Sequence, residues 1–380
     1  MGRRGRNVVV AALIAIVAVA FWENRMVATV PLPQQVARWS MDLYEQYVPL
    51  WTLAYRGPRL LPRWNPWQLA GTPLLATTTA GFFYPPNLLA TVLPVPQLLG
   101  WLSAAHLALA GVSTFALGRR LGLGRAAATL AALAFVLSDR VLNERIHTPY
   151  LVGVCWLPAL LLAAVRVADR PTAGAGALLG VVVALQVLAG YPDIVAFSAP
   201  ALAAAGTVWL VATRPPAREL GAMGGAVAVA VVTALGVAAV QILPTLELLR
   251  AADRGSLTLA ESMVVPPPPL AEVLRPAAWL LPLAIVAATD ARRRLAVALG
   301  TLVLAVAWLG GLGTFLYTHV LRQLPGIAFF RLPQKVLPLG ELALALLAAG
   351  GLQVALDGRR RVVVPVLLTA GALCVAGAGG

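Results

Sequence analysis

The sequence predicts an all-α, polytopic membrane protein of about eleven transmembrane helices, forming a single integral membrane domain over residues 1–380. Three observations predict it. Charged residues make up only 12% of the chain and apolar ones 60%, with a mean hydropathy of +0.83. Soluble domains carry about 25% charge, so this chain lacks the residues for a water-facing surface. Apolar runs of roughly 15–22 residues recur along its length and match a hydrocarbon core of about 30 Å at 1.5 Å per helical residue. Finally, 28 of the 29 basic residues are arginines, gathered in short clusters between those runs.

The first run, 7–22, follows Arg-rich MGRRGR and holds Ala18-Val19-Ala20, the outline of a signal peptide. Ten further runs make a retained anchor the better reading. They lie near 97–117, 126–138, 150–167, 173–189, 194–212, 221–243, 276–289, 295–316, 336–355 and 362–378. The arginine clusters are MGRRGR, GRRLGLGR (118–125), Arg166 to Arg170, Arg214 with Arg218, ARRR (291–294) and GRRR (358–361). Eleven alternating spans from a cytoplasmic N-terminus put every cluster on the cytoplasmic side, as the positive-inside pattern demands. That side then holds sixteen arginines against Asp169, Glu219, Asp290 and Asp357, a net +12 of the total +14. The basic charge therefore reads as topology, and nucleic acid is excluded as a partner. Cys155 and Cys374 both sit in apolar runs, so no bridge is expected.

Chemistry is expected on the outer face, because the cytoplasmic connections are tight turns. Two outer segments are long, about 23–96 and about 244–275; shorter ones lie at 139–149, 190–193 and 317–335. In the first, Asp42, Glu45 and Gln46 share a helical face at i, i+3 and i+4, while Leu43 and Tyr47 share another, toward lipid. Pro49 is expected to end this helix. The segment suits the headgroup layer, its polar face either presenting a carboxylate or simply solvated. Arg56, Arg59 and Arg63 follow among Trp and Pro, fit for a lipid phosphate or for generic headgroup contacts.

Between the third and fourth spans, Asp139, Arg140, Asn143, Glu144 and His147 recur at helical spacing. Ion pairs Asp139–Arg140 or Glu144–Arg145 are the simplest outcome, and no metal motif is present. Gly190-Tyr191-Pro192-Asp193 forms an acidic tight turn, and Gln241 and Glu247 flank Pro244 at the end of a span. Glu341 lies within a span, where an ionisable group is costly and thus a functional candidate. Phe329-Phe330-Arg331-Leu332-Pro333-Gln334-Lys335 offers an aromatic-basic edge for a phosphate near lipid. No nucleotide, serine-hydrolase or zinc motif occurs.

The ordered set Asp42-x3-Gln46-x2-Pro49, Trp64-Asn65-Pro66, Gly71-Thr72-Pro73-Leu74-Leu75, Tyr84-Pro85-Pro86-Asn87, Gly190-Tyr191-Pro192-Asp193, Gln241-x2-Pro244-x2-Glu247 and Phe330-Arg331-x-Pro333 resembles the YfhO family of bacterial membrane proteins. Relatives tend to carry Gly-His-Pro-Gln at the Gly190–Asp193 position and to be much longer, so this chain looks truncated at its C-terminus. The resemblance implies a GT-C type glycosyltransferase in the bacterial cytoplasmic (inner) membrane, its site on the outer face. A polyprenyl-phosphate-linked sugar would be the donor and a glycan, lipid or protein the acceptor, probed from within the membrane lipids. Asp42 matches the catalytic aspartate of that superfamily. The substrate and phosphate-binding candidates are Arg331, Lys335, Arg63, Asp139, His147, Gln46, Glu45 and Glu247. A divalent metal ion is an optional helper. The alternatives are a transporter or flippase of a lipid-linked substrate, for which the expected inverted repeats are not evident, and a non-catalytic scaffold.

Overall fold

Hydrocarbon offers no partner to backbone N–H and C=O groups, so a chain this apolar must satisfy them within helices. The computed structural model does so, and describes residues 3–20, 42–57, 63–68, 70–143, 147–251, 257–324 and 326–357. For Asp42, Leu43, Tyr44 and Asn143 only the backbone is described. The expected span 362–378, the GRRR cluster, Arg59, Glu144 and Arg145 lie outside the described residues.

Helix α1 covers Arg3–Ala20. The first long connection contains a π-helical turn (Asp42–Tyr47), α2 (Val48–Arg56), an antiparallel ribbon of β1 (Trp64–Asn65) and β2 (Thr72–Pro73), and 3₁₀ turns at Thr78–Ala80 and Pro85–Thr91. Next come α3 (Val95–Arg120), α4 (Arg125–Val136), α5 (Asp139–Asn143), α6 (Thr148–Cys155) and α7 (Leu157–Asp169). They are followed by α8 (Ala173–Leu188), α9 (Pro192–Thr213), α10 (Ala217–Ala251) and α11 (Leu259–Ser262). The rest is α12 (Leu270–Ala277), α13 (Leu281–Ala287), α14 (Arg294–Gly311) and α15 (Leu337–Leu356). Among the described residues, seven helical stretches are long and apolar enough to cross a membrane: 95–120, 148–169, 192–213, 217–251, 270–287, 291–311 and 333–356. Two shorter apolar helices, α4 and α8, join them.

Prolines account for most departures from the expected spans. The run 150–167 divides at Trp156, where Pro158 removes a ladder hydrogen bond. The run 276–289 begins earlier, at Leu270, and is broken by a 3₁₀ turn at Ala278–Leu280. The run 221–243 lengthens instead. Pro244 lies inside α10, and the Thr245 hydroxyl sits between the Gln241 and Ala76 carbonyls at 2.8 and 3.0 Å. The expected outer loop from 244 therefore begins as helix. Pro49 likewise ends nothing: it occupies the first turn of α2, where its missing N–H costs no intrahelical bond.

Helix α15 is the central element, packed against α4, α13 and α14 and buried along most of its length. Helices α8 and α10 form a second close pair. A Cβ on Gly176 or Gly180 would stand 2.1 or 2.4 Å from the Ala226 and Ala230 carbonyls, so only glycine permits this backbone approach.

Polar contacts sort the connections into two ends. At one, Arg125 reaches Asn7 at 2.9 Å, Arg120 pairs with Asp169 at 2.7 Å, and the Gly124 N–H donates to Gln353 at 2.6 Å. Arg293 reaches the Gly122 carbonyl there at 3.4 Å. At the opposite end, Gln241 donates to the Leu75 carbonyl at 3.0 Å and Tyr150 to the Lys335 carbonyl at 3.1 Å. The turns holding Arg120, Arg125, Asp169 and Arg293 thus gather away from the first connection.

Candidate functional site

The π-turn Asp42–Tyr47 places Tyr47 inward rather than toward lipid. Tyr47 is fully buried, and its hydroxyl lies 2.7 Å from that of Tyr191. This corrects the lipid-facing expectation; an amphipathic segment beside a folded loop buries its aromatic face in protein. Tyr191 itself follows Gly190, whose φ of +111° and tight approach to the Thr78 carbonyl suit glycine. The next turn brings Asp193 to the start of α9, where Lys335 Nζ donates to its Oδ2 and the Ile194 N–H to its Oδ1 at 3.1 Å. The same Nζ stands 4.7 Å from the Tyr191 ring centroid. Tyr150 meets Tyr191 edge to face at 5.6 Å. Three separate segments therefore gather around the chain's one lysine.

A second polar pair lies nearby in sequence along α15. Arg140 Nε stands 3.5 Å from Glu341 Oε1, and the Glu341 side chain is only 6% exposed. Glu341, Ser138 and Asp139 line a cavity of about 330 Å³ whose walls are otherwise Leu, Ala, Pro276 and Trp279. Arg140 thus reaches across to α15 rather than pairing with its neighbour Asp139, which is exposed.

The remaining candidates disperse. The Asp42 side chain lies outside the described residues; Glu45 is exposed and Gln46 half-buried. Arg63 is exposed beside the ribbon, its carbonyl accepting from Leu74 at 2.9 Å. His147 is half-buried at the N-cap of α6, and Glu247 is exposed on α10. Arg331 and Lys335 do not share a partner. Leu332, at φ +63°, donates its N–H to the Ser262 carbonyl at 2.8 Å. Arg331 is left exposed beside Glu261, and Lys335 goes to Asp193. The Glu261 carboxylate is held below its usual range, first by the Thr258 N–H and hydroxyl and then by the Arg331 charge.

One polar network escaped sequence reasoning. Tyr84 bonds His106 Nε2, Trp156 Nε1 donates to the Tyr84 hydroxyl at 3.0 Å, and His106 Nδ1 lies 2.6 Å from the Leu102 carbonyl. Burial pushes the Tyr84 phenol well above its ordinary value, and the same holds for Tyr55. The available signal was a single histidine inside an apolar run. Among the described residues, no group of three or more His, Cys, Asp or Glu is placed to hold a metal ion. No family model and no curated protein sequence matches this chain.

Proposed function

We propose that the chain is a GT-C type glycosyltransferase of the YfhO kind, using a polyprenyl-phosphate-linked sugar and acting at the end of the bundle that carries Tyr47, Asp193 and Lys335. The supporting observation is the tie from the Asp42 turn to that cluster: Tyr47, five residues after Asp42, bonds the tyrosine whose ring faces Lys335. In this reading the end with the cluster faces outward and the arginine-bearing end the cytoplasm, with eleven spans in a bacterial inner membrane. An acceptor hydroxyl attacks C1 of the sugar as the C1–phosphate bond breaks, inverting the anomeric centre. The Asp42 carboxylate takes the hydroxyl proton, and Lys335 stabilises the lipid phosphate that leaves with the electron pair. An ammonium has three donors, of which Asp193 engages one. Arg331 and Arg63, both exposed, serve the rim where the phosphate enters.

The test is Asp42→Asn, scored by mass spectrometry of surface glycans and membrane lipids from deletion and complemented cells. Removing the base should cost about 10²–10⁴-fold in transfer, whereas Glu45→Gln, on an exposed side chain, should leave transfer near the parent level. Parent-level transfer by Asp42→Asn overturns the assignment. A second reading draws on Glu341, buried within a span with Arg140 3.5 Å away, since ionisable groups within spans commonly mark substrate pathways. It makes the protein a transporter of a lipid-linked substrate, and predicts movement of that lipid across vesicle bilayers without cleavage.

A further inference from the structure

The arginine-bearing end contains a large apolar cavity that the proposed chemistry does not use. It measures about 560 Å³ and is bounded by α7, α9, α14 and α15. Its floor and walls are Leu161, Leu202, Val303, Ala343, Leu346 and similar side chains. Among the described residues, its charged lining groups are Asp169, Arg292 and Arg293. From Arg293 to Val303 is ten residues, roughly 15 Å of helix rise, or about half of a 30 Å hydrocarbon core. The cavity therefore runs from headgroup height to the bilayer midplane, the reach of an acyl chain in one leaflet.

Charge at the mouth selects the headgroup. Asp169 is already paired with Arg120 at 2.7 Å. Asp290 stands 3.5 Å from Arg293 Nε, too long for a hydrogen bond, and that shielded Nε makes none. Arg292 is exposed beside it, and only its backbone N–H is engaged by Asp290. Two arginines against the half-satisfied Asp290 leave a positive surplus above an apolar slot. Basic pockets between membrane helices suit anionic lipid headgroups, and the volume falls within the range of built ligand sites, about 300–1,000 Å³.

We infer that this cavity is a binding site for one anionic membrane phospholipid, its phosphate at Arg292 and Arg293 and an acyl chain in the slot. The lipid is a resident of the bilayer rather than a reactant, and its site stands at the opposite end from Lys335.

Native mass spectrometry of the full-length protein from mixed phosphatidylglycerol–phosphatidylcholine nanodiscs tests this. The parent protein should retain phosphatidylglycerol in preference to phosphatidylcholine. Each basic residue at a membrane surface contributes about 1 kcal/mol, so Arg292→Ala with Arg293→Ala should cut the preference about 30-fold. Gly206→Trp probes the slot separately. Gly206 lines the cavity, and a Cβ there meets nothing within 4 Å, so the ring can enter the slot without displacing backbone. It should abolish retention while the arginines remain. Equal retention of both lipids by the parent overturns the site. So does full retention by Gly206→Trp, which would reduce the effect to surface charge.

Discussion

Lys335 and Asp193 respond unequally to removal of the partner, and the inequality is measurable. The Asp193 side chain is 7% exposed and the Lys335 side chain 18%. In Lys335→Met the carboxylate stays buried with only the backbone N–H groups of Ile194 and Asp193 as donors. Breaking a buried pair this way costs about 3–5 kcal/mol. In Asp193→Asn the ammonium keeps its position over the Tyr191 ring, worth about 0.5–2 kcal/mol, and its long stem can carry the charge toward water. That loss should be about 1–2 kcal/mol. The double variant holds no unpaired charge and should be no less stable than Lys335→Met alone. Reversible unfolding in mixed dodecyl sulfate–maltoside micelles gives all three values. If Asp193→Asn costs as much as Lys335→Met, or if the two losses add in the double variant, the pair is not the coupled buried contact described here.

Other consequences are independent of that pair. In a cysteine-free background, Trp67→Cys, at a side chain 85% exposed, should react with an impermeant reagent in intact cells, while Leu121→Cys is protected; the reverse pattern overturns the proposed orientation. Tyr84→Phe strips a partner from both His106 and Trp156 and should cost about 2–4 kcal/mol in the same unfolding assay. Because burial raises the Tyr84 and Tyr55 phenols, their contribution is fully present below about pH 10 and lost as the pH rises beyond it. Stability should therefore fall above that pH, and less steeply in Tyr84→Phe. Gly180→Val forces a side chain onto the Ala230 carbonyl and should release α10 from α8, seen as faster proteolysis of the 214–216 turn.

The helical character was legible because it is a property of long stretches. Proline effects were not, because they depend on context. Pro158 breaks a helix, while Pro244 is carried by one that Thr245 and Gln241 tie to the first connection. The partner of Lys335 was out of reach for a related reason. Asp193 and Lys335 were each singled out, but 142 residues separate them and only packing joins them. Arg331 and Lys335 looked like one basic edge until the left-handed Leu332 divided them. His106, in an apolar run with no neighbouring polar residue, gave no hint of Tyr84.

The glycine seam joins helices of very different length. Helix α8 has 16 residues and rises roughly 24 Å, whereas α10 has 35 and rises roughly 52 Å. A bilayer core of about 30 Å is too thick for the first and too thin for the second. The long helix can project, since its far end binds the first connection through Gln241 and Thr245. The short one cannot stretch, so in the proposed eleven-span arrangement lipids beside α8 would compress by roughly 6 Å, at fractions of a kcal/mol per Å. In that arrangement the protein would dimple its boundary lipids and should favour thin, short-chain membranes over thick ones. Chain length of the host lipid then becomes a control on its stability as direct as any side chain in the bundle.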